Sequence, residues 1–235
     1  MSDYSLPSSD EKPAYVQQKF DEIAKSYDLF NDLITLGMHR YWKNFLVRQT
    51  GIASDAVCLD LCCGTGDIAR LLSQKASEGQ VHGLDFSWNM LEVAKQRPQE
   101  NLTYLQGDAM KIPFEDQFFD TVSIGYGLRN VSDLSLCLKD IYRVLKPNSA
   151  LVSLDVGKPT LPGVHYFFDF YFFNIVPRIG KLLESKQDMF DYLPHSAKSY
   201  PDQEQVKRLM LEAGFRYVEI HDFMLGTSTI HVAWK

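Results

Sequence analysis

Residues 57–67, Val-Cys-Leu-Asp-Leu-Cys-Cys-Gly-Thr-Gly-Asp, constrain the fold more than any other stretch of this chain. An apolar run short enough to be a strand, Val57 to Leu61, ends in an acidic side chain, and a Gly-x-Gly turn then leads into a helical pattern. Gly64 and Gly66 let the backbone turn tightly and approach a ligand without a Cβ in the way. The helix that follows aims its free N–H groups at the same place, so a nucleotide-like cofactor is the expected occupant. Gly64-Thr65-Gly66-Asp67-Ile68-Ala69 also satisfies the looser G-x-G-x-x-A dinucleotide pattern, with Asp85 about 20 residues on, where a ribose-binding acid belongs.

The same alternation continues downstream. Strands are expected at 57–61, 80–85, 102–106, 119–125 and 150–156, separated by helices near 66–76, 87–97 and 133–146. Strand and helix in turn imply a parallel sheet covered on both faces, and right-handed crossovers make it doubly wound. Such sheets bind ligands at the carboxyl ends of their strands. After a helix at 202–213 the pattern changes: Phe215–His221 and Ser228–Trp234 are joined by a short link carrying Gly226, which favours an antiparallel hairpin at the end of the sheet. Before the first strand, Phe20, Ile23, Tyr27, Phe30 and Ile34, then Trp42, Phe45 and Leu46, recur at helical spacing and predict two amphipathic helices. Residues 1–13, with two prolines and several serines, read as a flexible leader, 14–50 as N-terminal helices, and 51–235 as the main α/β domain.

With 235 residues, 45% of them hydrophobic, the chain is long enough for a full core and short for two domains. A net charge of -6 and a pI near 5.5 give no electrostatic reason to bind nucleic acid. Cys58, Cys62, Cys63 and Cys137 follow neither a disulfide nor a zinc spacing, so reduced thiols, no metal and a cytoplasmic location are expected. No secretory signal or membrane-spanning run is evident.

Each early strand ends in an acid suited to one part of an adenosyl ligand. Asp60 can orient the Gly turn, Asp85 can accept both hydroxyls of a ribose, and Asp108 can accept from an adenine amino group. Any one of them taken alone could be a helix N-cap. An NAD enzyme has no particular use for Asp108, so the third acid tilts the expectation toward S-adenosylmethionine.

Leu59 to Asp67, Gly107-Asp108-Ala109-Met110-Lys111-Ile112-Pro113-Phe114 and the terminal hairpin resemble class I S-adenosylmethionine-dependent methyltransferases, whose sheet has seven mostly parallel strands. More narrowly, Tyr27-Asp28 with Asn31-Asp32, Gly37 to Lys43, Tyr126 to Val131, Tyr142 to Pro147 and Tyr192-Leu193-Pro194-His195-Ser196 resemble the UbiE/MenG quinone C-methyltransferases, most of all those acting on demethylphylloquinone. The resemblance implies a cofactor site of Asp60, Cys63, Gly64, Thr65, Gly66, Asp85, Phe86, Asp108, Ala109 and Gly125, catalytic roles for Arg129, Asn130 and Tyr27, and substrate contacts from His195, Tyr166 and Phe170. It implies a prenylated naphthoquinol substrate. Benzoquinol methylation, an NAD(P)-dependent oxidoreductase and a non-catalytic adenosyl-ligand sensor stand as alternatives. Two departures stand out. Cys62 occupies a place where many methyltransferases carry glycine, and a thiol fits there provided the backbone needs no positive φ. Leu-Asp-Val-Gly-Lys-Pro after the fifth strand replaces Leu-Glu-Phe-Ser-Lys-Pro, which leaves an active-site role for Asp155 open.

A ring carbon attacks a sulfonium methyl only if a neighbouring hydroxyl loses its proton, so the site must favour a phenolate. Arg129, just after the fourth strand, is expected to stabilise that charge or orient water, since a guanidinium does not deprotonate; the competing reading is a surface salt bridge. Asn130 is suited to hold the quinol oxygen. His39, His195, His221 and His231 are candidate proton acceptors. Residues 163–180 carry aromatics on nearly every helical face, among them Tyr166, Phe167 and Phe170, within a substrate insert at about 158–200. They point to a greasy partner, a prenyl tail or a thylakoid or plasma membrane surface, with peripheral docking rather than a span, and a homodimer is compatible with the same surface.

Overall fold

A computed structural model describes residues 6–8, 10–161, 163–183 and 188–235; residues 1–5 and 9 of the expected leader lie outside the described residues. Three helices, where two were expected, precede the sheet: α1 (Lys12–Ile23), α2 (Tyr27–Thr35) and α3 (Met38–Gln49). The stripe from Phe20 to Ile34 is continuous in sequence, and no glycine or proline marks the break at 24–26. The second break is sharper. Leu36 and Gly37 both take left-handed backbone, φ 50° and 75°, and both donate to the carbonyl of Asp32. Lys12 and Pro13, assigned to the leader from sequence, already belong to α1.

The alternating region forms β1 (Val57–Leu61), α4 (Asp67–Lys75), β2 (Gln80–Asp85), α5 (Trp88–Lys95), β3 (Leu102–Gln106), β4 (Phe119–Gly125), α6 (Leu134–Val144) and β5 (Leu145–Val156). Then come α7 (Val164–Phe170), a π-helical turn at Tyr171–Ile175, α8 (Val176–Leu183), α9 (Asp188–Ser199), α10 (Gln203–Glu212), β6 (Tyr217–Phe223) and β7 (Ser228–Trp234). The seven strands lie in the order β3-β2-β1-β4-β5-β7-β6. The first five are parallel, and β7 runs antiparallel to both β5 and β6, as the hairpin pattern predicts. β5 begins five residues before the expected position, because Leu145 pairs with Phe119 ahead of a register shift that admits Pro147 and the left-handed Asn148.

Ile68, Ala69 and Leu72 of α4 close one face of the sheet, and Cys137, Leu138, Ile141 and Val144 of α6 close the other. Both helices show the i, i+3/i+4 spacing that burial demands. A smaller cluster joins the N-terminal helices to the insert through Ile23, Phe30, Met90, Val176 and Tyr192. The reversal of strand order between β1 and β4 opens a crevice at their carboxyl ends, and this third cluster roofs it.

His82 on β2 is wedged against Phe114, Phe119 and Phe118, with ring centroids 5.0, 5.9 and 6.3 Å away, and neither ring nitrogen has a partner among the described residues. Burial pushes its pKa below the ordinary value. The unfolded chain therefore binds this proton more readily, and the stability His82 contributes is present above about pH 6.5 and lost as pH falls through that value. His82→Leu should gain more stability at pH 5.5 than at pH 8 in urea denaturation relative to the parent; an equal change at both pH values would refute the assignment.

Candidate active site

The crevice is an open cavity with about 810 Å³ of empty space. Its floor comes from the strand ends: Cys62 and Gly64 after β1, Asp85 and Phe86 at β2, Asp108 and Ala109 after β3, and Gly125 and Tyr126 at β4. Its roof is apolar, built from Val16 and Phe20 of α1, Tyr27 of α2 and Met90 of α5.

Of the ten residues expected to touch the cofactor, Gly64, Asp85, Phe86, Asp108, Ala109 and Gly125 line this cavity, and Asp60, Cys63, Thr65 and Gly66 do not. The four form the back of the turn. Asp60 is buried within the sheet, where one oxygen accepts from the Ser123 hydroxyl at 2.6 Å and the other has no partner among the described residues. Burial pushes its carboxyl up to about 7 against the pull of the Ser123 hydroxyl. The Cys63 amide donates to Leu84, and the Thr65 hydroxyl donates to Asp28 of α2 at 2.6 Å. Gly66, at φ 81°, lies where a Cβ would stand 2.2 Å from the Tyr104 hydroxyl. Gly64 is different. A Cβ there would meet nothing within 4 Å and would project into open space beside the cavity, so its absence is what leaves backbone available to a ligand.

Asp85 accepts from the Gly64 amide at 2.7 Å and the Ser87 amide at 2.8 Å, and burial nonetheless pushes its carboxyl up to about 6. Each oxygen keeps a lone pair for a further donor. Asp108 accepts from the Met110 amide at 2.8 Å, folding its loop around the cavity.

The Arg129 side chain is 5% exposed, which rules out the surface salt bridge weighed from sequence. It sits in a 3-10 turn, Leu128–Asn130, and pairs with Asp155 of β5 at 2.7 Å, while its own amide donates to the other oxygen of that carboxylate at 3.2 Å. Burial alone would depress its pKa, but the adjoining Asp155 and the Tyr27 and Tyr192 hydroxyls leave it raised. Arg129 is not itself part of the cavity wall; Tyr126, Asn130 and Tyr27 stand there, the Tyr126 ring 5.4 Å from its guanidinium carbon. Asn130 is fixed from both ends, since its Oδ1 accepts from the Tyr192 hydroxyl at 3.0 Å and its Nδ2 donates to the Tyr126 carbonyl at 3.1 Å. Lys12 caps the same turn, donating to the carbonyls of Arg129 and Val131. Tyr192, quoted above only as part of a motif, has no sequence neighbour that announces this role.

Several expectations move. Tyr166 and Phe170, expected on the substrate, are exposed on the outer surface of α7, and His195 packs against Phe173. No histidine among the described residues lines the cavity. His39 bonds Asp32, His231 bonds the Gln203 carbonyl, and His221 sits against Phe45 and Glu219. Cys62 does need positive φ, at 54°, contrary to the proviso under which a thiol was admitted. It is kept because its Cβ and Sγ fill the space above Gly127, where an added Cβ would lie 2.6 Å from the Cys62 Cβ. Burial pushes all four thiols upward, Cys58 to about 12, so none is an activated nucleophile.

Strand order, Gly turn and adenosyl-type acids together define an S-adenosylmethionine-dependent methyltransferase. A solved S-adenosylmethionine-dependent methyltransferase from Thermotoga maritima superposes with a TM-score of 0.67 at 18% identity, over 93% of this chain and 99% of that one. A phosphoethanolamine N-methyltransferase from Haemonchus contortus, solved with S-adenosyl-L-methionine, gives 0.61 at 19% identity, over 83% of this chain and 52% of that one. Residues 8–235 match the ubiE/COQ5 methyltransferase family, and the chain belongs to it. A demethylmenaquinone methyltransferase from Leptospira interrogans is 45% identical over 100% of this chain and 98% of its own length, and one from Staphylococcus aureus is 40% identical over 94% and 92%. The methyl donor is S-adenosylmethionine, and the oxidoreductase and sensor alternatives fall away.

Cys62→Gly should leave thermal stability within about 1 kcal/mol of the parent, relief of the left-handed strain offsetting the lost thiol packing. Cys62→Val, β-branched at positive φ, should lower it by more than that. Calorimetric melting of the two variants checks the pair, and equal stability would show that the turn is unstrained.

Proposed function

We propose that this protein transfers the methyl of S-adenosylmethionine to a ring carbon of a prenylated demethyl-naphthoquinol, demethylmenaquinol or demethylphylloquinol, as the last step in making menaquinone or phylloquinone. The full-length likeness to two demethylmenaquinone methyltransferases carries the choice of substrate. A greasy roof over a polar floor is what such a substrate and a charged cofactor require. Such a substrate resides in lipid, so peripheral membrane contact belongs to the same reading.

In this reading Asp85 receives the ribose hydroxyls, Asp108 the adenine amino group, and the Gly64 carbonyl, its amide being held by Asp85, the ammonium of the amino-acid end. Phe86, Ala109 and Gly125 enclose the rings, while Asp60, Cys63, Thr65 and Gly66 hold the turn from behind. When bound, S-adenosylmethionine supplies a methyl group already activated by its sulfonium. The protein aligns the acceptor, which is worth roughly 7–11 kcal/mol of barrier in well-oriented reactions. The Asn130 amide keeps one N–H beyond its bond to Tyr126, and that N–H holds the quinol oxygen. Arg129, a permanent cation in dry surroundings behind Asn130 and Tyr27, favours the phenolate and stabilises it as the ring attacks. Tyr27 positions the ring against the cavity roof. With no cavity histidine among the described residues, the phenol proton leaves to water at the cavity mouth; after the ring carbon takes the methyl, its own hydrogen leaves as a proton and the oxygen is reprotonated, so one proton is released per turnover.

Purified protein given a reduced demethylnaphthoquinone and methyl-labelled S-adenosylmethionine should yield ring-methylated product; label appearing on no quinol would overturn the reading. Arg129→Lys, which keeps a charge beside Asp155, should lower turnover by about 10²–10³ with cofactor affinity little changed. Equal loss of both would remove Arg129 from the chemistry.

Asp85 generates a pH dependence. Its ionised form is the stronger acceptor for ribose hydroxyls, and in the free protein its pKa is raised to about 6. Cofactor affinity should be full above that value and decline as pH falls through it, a trend that titration calorimetry reads directly. In Asp85→Asn affinity should be weaker and the decline absent; a variant that keeps the same decline would exclude Asp85 as its source.

A further inference from the structure

Three of the left-handed residues other than glycine are large, aliphatic and exposed: Leu36 at the end of α2, and Met224 and Leu225 between β6 and β7. Leu36 is 89% exposed, the highest value among the large hydrophobics of the described residues. A side chain that strains the backbone and is not buried contributes nothing to folding, and glycine or asparagine would serve each turn better. These positions are shaped for something outside the chain.

The three belong to one surface. Tyr41 of α3, itself exposed, packs its ring 6.1 Å from that of Phe223, which leads directly into Met224 and Leu225. The Leu225 carbonyl accepts from the Thr160 amide at 3.0 Å, next to exposed Leu161 and the start of α7, where Tyr166, Phe167 and Phe170 are exposed, Phe167 by 79%. Tyr171 then returns to α2, donating to the Ile34 carbonyl at 2.6 Å, two residues before Leu36. A continuous apolar rim thus runs over α2, α3, the β6–β7 turn and α7. α2 joins it to the cavity, since Tyr27 at its start is in the cavity wall.

Charge identifies the occupant. Residues 32–53, 158–181 and 222–230 contain the bases Arg40, Lys43, Arg48, Lys158, Arg178 and Lys181 against the acids Asp32, Asp169 and Asp222, a local excess of positive charge in a chain of net charge -6. Lys43 and Arg40 are neutralised by Asp67 and Asp32, but Arg48, Arg178 and Lys181 are exposed. Apolar tips with basic residues around them suit an anionic bilayer surface, where the tips enter the acyl boundary and the cations meet headgroups. No described helix is long and apolar enough to cross a membrane, so the contact is peripheral.

We propose that this rim docks the protein on anionic lipid, which rests on the reading of a prenylated substrate and locates the entry of that substrate beside α2. The test is co-sedimentation of the full chain with quinone-free vesicles of phosphatidylglycerol and phosphatidylcholine. The protein should bind them, bind pure phosphatidylcholine less, and release as salt rises. The double variant Leu36→Asn with Leu225→Asn, which suits left-handed backbone and keeps the melting temperature at or above that of the parent, should weaken binding at least about tenfold. It should retain methyl transfer to a water-soluble short-tail quinol. The proposal is overturned if the parent stays in the aqueous phase, or if the variant binds as the parent does. It is equally overturned if sedimentation shows the parent dimeric and the variant monomeric with neither binding vesicles, which would make the rim a homodimer face. Vesicle binding without methylation of any quinol would remove the substrate reading and leave the docking surface standing.

Discussion

The buried pair of Arg129 and Asp155 is the joint on which the site depends. Taking two charges out of water costs more than one contact returns, and apolar residues of similar volume often stabilise a core at least as well. The compensation here is positional. Asp155 accepts from the guanidinium, from the Arg129 amide and from the Val156 amide, so one carboxylate ties the 3-10 turn to the end of β5. Lys12 fastens the other side of that turn through two carbonyls, bringing α1 down over the cavity. With the turn immobile, Asn130 can be held between Tyr126 and Tyr192, and its amide faces the cavity in one orientation only. The replacement of Glu by Asp at 155 leaves this joint intact, because its short side chain is already within 2.7 Å of Arg129.

The glycine turn divides its labour between two faces. Gly64 presents bare backbone to the cavity, while Asp60, Cys63, Thr65 and Gly66 lock that backbone to the sheet, to α4 and to α2. Locking costs conformational strain at Cys62, a non-glycine residue at positive φ, whereas Gly66 takes its left-handed backbone freely. A ligand therefore meets a surface that is already arranged, and less ordering is left to be done on binding. The link from Thr65 to Asp28 also carries that order into α2, so cofactor seat and apolar roof are parts of one braced unit.

Periodicity made the sheet legible because strand and helix patterns differ in repeat and each run is long enough to show it. β1, β2, β3 and β4 follow the bounds expected from their apolar runs. The break between α1 and α2 was invisible, since a single apolar stripe crosses it. Strand-end acids were legible as a set, but which of them faces the cavity depends on the pleat: Asp60 lies within β1 and points into the layer beneath α4, whereas Asp85 ends its strand and Asp108 follows one. Tyr192 was hidden because nothing local distinguishes a buried tyrosine whose hydroxyl meets a residue 62 positions away. Tyr166 and Phe170 stand off the cavity wall, which was hidden for the opposite reason. Their aromatic density was plain, and the side of the insert that faces the cavity was not.

Opposed titrations then determine how this architecture tolerates pH. Asp60 and Asp85 are raised to about 7 and 6, so the folded chain holds their protons longer than the unfolded one. Their contribution to stability is present at low pH and is lost as pH rises through those values. His39, His82 and His231 are lowered by burial, and their contribution is present above about pH 6.5 and lost as pH falls through it. The two groups act in overlapping windows with opposite slopes, which flattens the fold's response near neutrality. Ligand binding breaks the balance on one side only. On the proposed reading, ribose hydroxyls donating to Asp85 favour its ionised form, so cofactor binding draws off the proton that Asp85 still holds below about pH 6.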